Sequence, residues 1–412
     1  MGYPELDINL TPEQKSMRDM ARKFGAEVIR PIGIALDQMP NPADVIAPGS
    51  PLWDAARQFR ALGLHRRGLP KSVGGMREDM DPLSQFLIGE ALSYADAGMT
   101  TTLGGGASTF AFAAMSPDPE LQGWARDFCA DTSGQINGCW AITEPDHGSD
   151  WASAVDNRNA DPRIGPTLKA VLKGDEYILT GQKAAWVSNG TIATHATLHV
   201  GLDPALGMQG TGLCVLPLSL PGISKGAPLN KIGLRPLNQG EIFFEEVRIP
   251  KKYMIVSDPN LMSRGLLRTT LTTANTGMSI SFAGLAWAAF DEAHAYARQR
   301  VQGGLPIIQH QNIRLKLHRM YMMVHAARCV ARQTVRMNAA NPPGSLLNAT
   351  AAKVLSTETA FQVASEAVQI HGGNGLTKEY LIEKLFRDAR AGLIMDGTNE
   401  ALALGGTLDL MD

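Results

Sequence analysis

The sequence predicts an α+β chain in three parts: a helical N-terminal domain over 1–133, a small β domain over 134–255 and a bundle of long helices over 256–412. Three observations predict it. Helical spacing dominates the first 130 residues, short β-prone runs broken by Gly and Pro fill the middle, and helical periodicity returns from about Asn260. A chain of 412 residues is long enough for two or three domains with buried cores.

The first helix begins at Thr11-Pro12-Glu13-Gln14, an N-cap hydroxyl, a proline at the first helical position and a glutamine that closes a capping box. Met17, Met20, Ala21, Phe24 and Val28 follow at helical spacing, and further helices are expected over 52–62 and 82–94. The Pro-, Asn- and Gly-rich segment 39–50 reads as a loop. In the middle, Leu168 to Thr180 holds two β-prone runs around Gly174-Asp175, a hairpin signal, and the runs 196–200, 213–218 and 241–249 are strand-like. The stretches 266–300, 312–339 and 351–370 are long helices, the last with Val354, Phe361 and Val368 on one face.

With 44% apolar residues, 19% charged residues and a net charge of −2, the composition is that of a soluble protein. Lys and Arg are dispersed, which argues against a nucleic-acid surface. Cys129, Cys139, Cys214 and Cys329 have no CxxC spacing and read as buried free thiols in a reducing compartment. The first residues lack a basic and apolar leader, Leu6 argues against acylation at Gly2, and the longest near-apolar stretch, 277–290, is too short to span a bilayer. A cytoplasmic protein with no membrane partner is expected. His195 and His199 have metal-like spacing but no third ligand nearby, so no metal is expected.

Three segments carry chemistry. Ala141-Ile-Thr-Glu-Pro-Asp-His-Gly-Ser-Asp150 is a loop whose backbone N–H groups and hydroxyl suit an anionic diphosphate. Gly181-Gln-Lys-Ala-Ala-Trp-Val-Ser-Asn-Gly190 puts a tryptophan and a serine at a strand end. Near the C-terminus, Gln369-Ile-His-Gly-Gly-Asn-Gly375 leads through charged turns to Met395-Asp396-Gly397-Thr398, one carboxylate beside a glycine.

Together these segments resemble the acyl-CoA dehydrogenase family along nearly the whole chain. The resemblance implies a middle β-barrel-like domain, a C-terminal four-helix bundle, FAD as cofactor and an acyl-CoA as substrate. It implies that Thr143 meets the flavin and that Ser149 meets both flavin phosphate and substrate pantetheine. It implies that Trp186 packs against the isoalloxazine and that Ser188 bonds the flavin near N5, although one extra residue precedes Trp186. Arg300 matches an arginine that in the family reaches the diphosphate of a neighbouring subunit's cofactor, Gln369 and Gly373 match residues contacting the same cofactor, and Thr398 matches a contact beyond the base. Trp140, Ile142, Gln302 and Glu400 complete the implied cofactor set, and Gly397 and Gly104 join Ser149 on the substrate side. A homotetramer and an electron-transferring flavoprotein as acceptor are implied as well.

The implied catalytic base is Asp396, where the family usually has Glu. It removes a proton while a hydride passes to the flavin, with the thioester carbonyl held by the N–H of residue 396. The alternative helix position for a base carries Ala274 here, so no replacement carboxylate exists. Asp reaches about 1.5 Å less far than Glu, and family members acting on cyclic acyl-CoAs use Asp, so a cyclic or bulky acyl group is expected. Gly104-Gly105-Gly106, near the family's acyl cavity, offers room for it. Three positions depart from the pattern: Gly303-Gly304 replaces an aromatic-Gly pair, Glu400 replaces Gln, and Asn275 stands where an arginine is usual. A nitroalkane oxidase-like flavin oxidase would also use Asp, but the arginine expected seven residues later is Ala403. A non-redox lyase or an inactive partner subunit is the remaining alternative.

Overall fold

The computed structural model describes residues 6, 9–155, 161–258 and 261–411. Residues 1–5 and 7, which with Leu6 carry the leader and acylation readings, lie outside the described residues, as does Asn260.

Helix α1 (Pro12–Phe24) starts on the expected capping box: the Gln14 N–H donates to Thr11 Oγ1 at 3.2 Å, and the Thr11 N–H donates to Gln14 Oε1 at 3.0 Å. A π-turn carries the chain into α2 (Arg30–Gln38). The segment 39–50 is not all loop, because Asn41 caps the short helix α3 (Pro42–Ile46), which has a proline at its first position. Helices α4 (Pro51–Ala61), α5 (Pro82–Ala95), α6 (Ala97–Gly104), α7 (Ala107–Met115) and α8 (Pro119–Ala130) complete the N-terminal domain. Eleven of α5's fourteen residues are buried, as its place between α1 and the C-terminal bundle requires.

The middle domain is an eight-stranded sheet of β1 (Gly138–Ala141), β2 (Lys169–Lys173), β3 (Glu176–Ser188), β4 (His195–Gly201), β5 (Thr211–Pro217), β6 (Ile223–Lys225), β7 (Gln239–Pro250) and β8 (Met254–Val256). Its path runs β6-β7-β3-β2-β4-β5-β8, with β1 pairing parallel to β4. Gly174 has φ +62° at the predicted β2–β3 hairpin, a backbone state that glycine adopts without steric cost.

Helix α9 (Leu267–Gln299) is 33 residues long, about 50 Å at 1.5 Å per residue. It is followed by α10 (Gln311–Ala340) and α11 (Leu346–His371), then by α12 (Leu381–Gly392) and α13 (Asn399–Gly406). The N-terminal ends of α9 and α11 share one apolar cluster through Leu267, Leu271 and Leu346. Their C-terminal ends meet where Tyr296 stacks on His371 at 4.1 Å, so α9 and α11 run parallel. The charged stretch before Asp396, read from sequence as turns, is helix α12, which returns the chain along the bundle to the end where α9 and α11 begin. Its charges are spent on a joint between domains. Buried Lys384 donates to Asp96 and Asp388 at 2.6 Å each, and Asp388 accepts the N–H of Leu234. Arg387 likewise grips Asp37 and the carbonyl of Ile232.

Between α9 and α10, Gly303 and Gly304 both have positive φ, +62° and +79°. They form a two-residue turn between β9 (Val301–Gln302) and β10 (Leu305–Pro306), and two successive positive φ values favour glycine over an aromatic residue there. Cys129, Cys139 and Cys214 are buried, whereas Cys329 is exposed on the outer side of α10, contrary to the sequence reading.

Candidate active site

Asp396 lies on the turn between α12 and α13 with φ +56°, and Gly397 follows at φ +104°. Aspartate tolerates this left-handed state better than most residues, and glycine adopts it without steric cost. The turn is held from three sides. Lys353 Nζ on α11 donates to the Gly397 carbonyl at 2.9 Å. The Thr398 N–H donates to Ser149 Oγ at 2.9 Å, and the Asn399 N–H donates to the Leu393 carbonyl at 3.0 Å. Thr398 Oγ1 caps α13 by accepting from the Ala401 N–H. The N–H groups of Asp396 and Gly397 donate to no backbone carbonyl among the described residues.

Asp396 keeps partial access to solvent, yet its carboxyl is closely ringed by protein. Burial raises its pKa above the usual carboxylate range, and the positive charge of Lys353 opposes the rise. A carboxylate raised in basicity and still partly reachable suits proton abstraction.

In the middle domain, Thr143 and Trp186 belong to one patch, because the Ala184 N–H donates to the Thr143 carbonyl at 2.9 Å. The adjoining loop is locked from beneath. Glu144 and Lys183, both fully buried, pair at 2.7 Å, and Lys183 also donates to the Ile142 carbonyl at 3.0 Å. Glu144 accepts the N–H and hydroxyl of Thr167 as well. The extra residue before Trp186 is taken up by a β-bulge. Between the pairs Lys183–Ile242 and Val187–Gly240, three residues of β3 stand opposite the single residue Glu241. The bulge leaves Trp186 60% exposed.

Sequence reasoning missed Gln239. Its Nε2 donates to Ser188 Oγ at 3.2 Å and to the Trp186 carbonyl at 3.1 Å, and its Oε1 accepts from Lys231 at 2.8 Å. With Gln239 donating to Ser188 Oγ, the serine's own proton is free to point elsewhere. A polar residue opening a strand gives no sequence signal of this role. Trp140 donates its Nε1–H to His199 Nε2 at 2.8 Å on the neighbouring strand. His199 is buried and His195 half-buried among aromatic rings, and desolvation lowers their pKa values to about 3 and about 4.

The structure does not bring every predicted residue together. Arg300, Gln302, Gln369 and Gly373 are exposed at the far end of the bundle. Gln369 follows Lys353 by sixteen positions along α11, about 24 Å of helix. Glu400 is exposed in the first turn of α13. Gly104 ends α6 with open space around the position of an added Cβ. Asn275 is fully buried in α9, its Nδ2 donating to the Leu271 carbonyl and its Oδ1 left without a partner.

An exposed indole face, a hydroxyl freed to donate and the Thr143 side chain together fit a flat, largely apolar ring with a polar edge. The donor types at Thr143, Trp186 and Ser188 thus fit a flavin ring.

The models for the N-terminal, middle and C-terminal domains of acyl-CoA dehydrogenases match residues 11–116, 139–247 and 265–404. The chain is 28% identical over 400 residues to a probable acyl-CoA dehydrogenase, YngJ, of Bacillus subtilis, covering 96% of this chain and 97% of that protein. It is 29% identical to the cyclohex-1-ene-1-carbonyl-CoA dehydrogenase of Geobacter metallireducens, covering 95% and 96%. Among solved structures, the butyryl-CoA dehydrogenase of Megasphaera elsdenii superposes with a TM-score of 0.84 at 25% identity, covering 99% of this chain and all of that one.

Proposed function

Because the chain belongs to the acyl-CoA dehydrogenase family of FAD-dependent oxidoreductases, we propose that it oxidises a cyclic or otherwise bulky acyl-CoA, with Asp396 as the base. The observation that carries this reading is the clamped turn. Asp396 is the carboxylate on it, its basicity is raised by burial, and its own N–H is uncommitted.

Asp396 takes a proton from the carbon chain of the thioester. The N–H of Asp396 is available to the thioester oxygen and stabilises the negative charge that develops there. FAD, when bound, supplies the acceptor for the hydride. Ser149 joins the two halves of the site, since its hydroxyl already holds the base turn from the middle domain. Trp186 offers a face for the flavin ring, and Thr143 and Ser188 offer hydroxyls at its edge.

The substrate class rests on reach. The carboxylate of Asp stops about 1.5 Å short of where Glu would put it, so the acyl group must lie deeper or present a different carbon. Open space beside Gly104 is compatible with a ring, and a relative named for a cyclohexene carbonyl-CoA lends support.

We read the enzyme as a homotetramer in the cytoplasm that passes electrons to an electron-transferring flavoprotein. Leu315, Met322, Val330 and Met337 recur at sevens and eights along α10, all exposed, a stripe suited to another subunit. The 24 Å between the base end and Gln369 supports a cofactor served by two protomers. No helix among the described residues is long and apolar enough to cross a membrane.

Anaerobic titration of the flavoprotein with straight-chain, branched and cyclohexanecarbonyl-CoA tests the reading. Bleaching of the flavin by the cyclic substrate at the lowest concentration is expected. No bleaching by any thioester, with oxygen consumed on nitroalkane addition, would replace it with the oxidase reading.

A further inference from the structure

Lys353 lies near the start of α11 with its side chain fully buried. A buried ammonium costs several kcal/mol of desolvation unless its surroundings offset it, and an apolar residue would fill the same helix position. Its bonded partners are neutral. Nζ donates to the Gly397 carbonyl at 2.9 Å and to Asn399 Oδ1 at 2.8 Å. Asn399 is itself fixed by Thr357, whose hydroxyl lies 3.2 Å from Asn399 Oδ1 and 3.1 Å from Nδ2. No carboxylate among the described residues forms a salt bridge with Lys353, so no direct ion pair cancels its charge. Burial lowers the Lys353 pKa to about 8, while the charges of Asp396 and then Glu400 raise it. Asn399, Thr357 and Gly397 face it as neutral groups.

We propose that Lys353 is a positioning residue for the base: its ammonium pins the Asp396–Asn399 turn through Gly397 and Asn399 and supplies the positive charge that faces the carboxylate. This rests on the reading of Asp396 as base. Two consequences follow from one side chain. The turn cannot drift while the Gly397 carbonyl and the Asn399 amide share one donor group, which matters because an Asp base has less reach to spare. The charge also offsets burial, which otherwise favours protonated Asp396. A protonated carboxyl cannot accept a proton, so an uncompensated base would be idle over part of the working pH range.

The test uses the flavin-loaded full chain as wild type, K353M, K353Q and D396N. Met removes every donor from the turn and risks misfolding, whereas Gln keeps an N–H for the Gly397 carbonyl and removes only the charge. Melting temperature and flavin content are recorded first. The rate of anaerobic flavin bleaching is then followed from pH 5.5 to 9.5, alongside the infrared carboxyl band that D396N lacks. In K353Q the acid limb of the profile should move to higher pH, with the rate at pH 6.5 about tenfold below wild type and the deficit shrinking as pH rises. The carboxyl band should persist to higher pH in step, a readout independent of turnover. An equal rate loss at every pH with the band unmoved would overturn the proposal and leave Lys353 a purely structural residue. Bleaching of D396N at the wild-type rate would instead remove Asp396 as the base, a separate failure.

Discussion

Ser149 and Thr398 are 249 residues apart, yet the Ser149 hydroxyl accepts the Thr398 N–H at 2.9 Å. One side chain therefore couples the loop that suits a diphosphate to the turn that carries the base. Helix α12 makes this possible by bringing the chain back along the bundle, and the Lys384–Asp96–Asp388 joint fixes α12 against the other domains.

Replacing that serine tests the coupling. S149A leaves the Thr398 N–H without its acceptor, which costs about 1–3 kcal/mol for a group shielded from water. Denaturant unfolding should report a loss of that size. Saturation kinetics should show a raised KM for the acyl-CoA together with a lowered kcat. An unchanged KM would separate Ser149 from the substrate.

At Gly397 a β-carbon would meet the Leu402 side chain at 3.0 Å, on a backbone at φ +104°. G397A should therefore shift the turn, and a misplacement of about 1 Å can lower the rate roughly 100-fold. The measurement is the limiting rate of flavin bleaching at saturating substrate. A loss below threefold would mean that the turn absorbs the strain without moving Asp396.

The Glu144–Lys183 pair gives the fold an acid sensitivity of stated sign. Burial pushes the Glu144 pKa up, but Lys183 and the Thr167 hydrogen bonds outweigh it, so the folded value lies below the ordinary 4.5. A carboxyl depressed on folding stabilises the protein fully above its unfolded pKa, and that contribution disappears as pH falls through the folded value. Wild type should lose stability below about pH 4.5, whereas E144Q should show a shallower acid dependence in this window. E144Q should also be about 3–5 kcal/mol less stable at pH 7, because Lys183 is left buried without its partner. Denaturant unfolding from pH 3 to 7 distinguishes the two proteins.

Substrate breadth is tested at Gly104. Open space surrounds the position of its missing side chain, so G104L is expected to fold normally and to narrow the acyl side of the site. The ratio of kcat/KM for cyclohexanecarbonyl-CoA to that for butyryl-CoA should fall about tenfold or more. An unchanged ratio would mean that the ring lies elsewhere.

The parts of the fold legible in sequence are those set by local rules. The capping box at Thr11, the Gly174 hairpin and the three long helices follow from near neighbours and periodicity. Strand β1 was illegible because four residues cannot display alternation, and its parallel partner β4 begins 54 residues after Ala141. Helix α12 was hidden by Lys384, Arg387 and Asp388, charges that read as turn residues until their buried partners are known. At the site, Asp396 and Ser149 stand in recognisable segments. Lys353 and Gln239 do not, since a lysine on a helix and a glutamine opening a strand are ordinary until folding sets them beside Gly397 and Ser188. The extra residue before Trp186 could be counted in the sequence, but its accommodation as a bulge depends on β7.

The central claim is that Asp396 removes the substrate proton, and rapid mixing of D396N with the best acyl-CoA under anaerobic conditions tests it most directly. The account predicts a variant that folds, retains FAD and is reduced by dithionite, with substrate bleaching slowed at least 1,000-fold, a loss of the order seen when a proton-transferring group is removed. Bleaching within tenfold of wild type would contradict it and assign the base to another group.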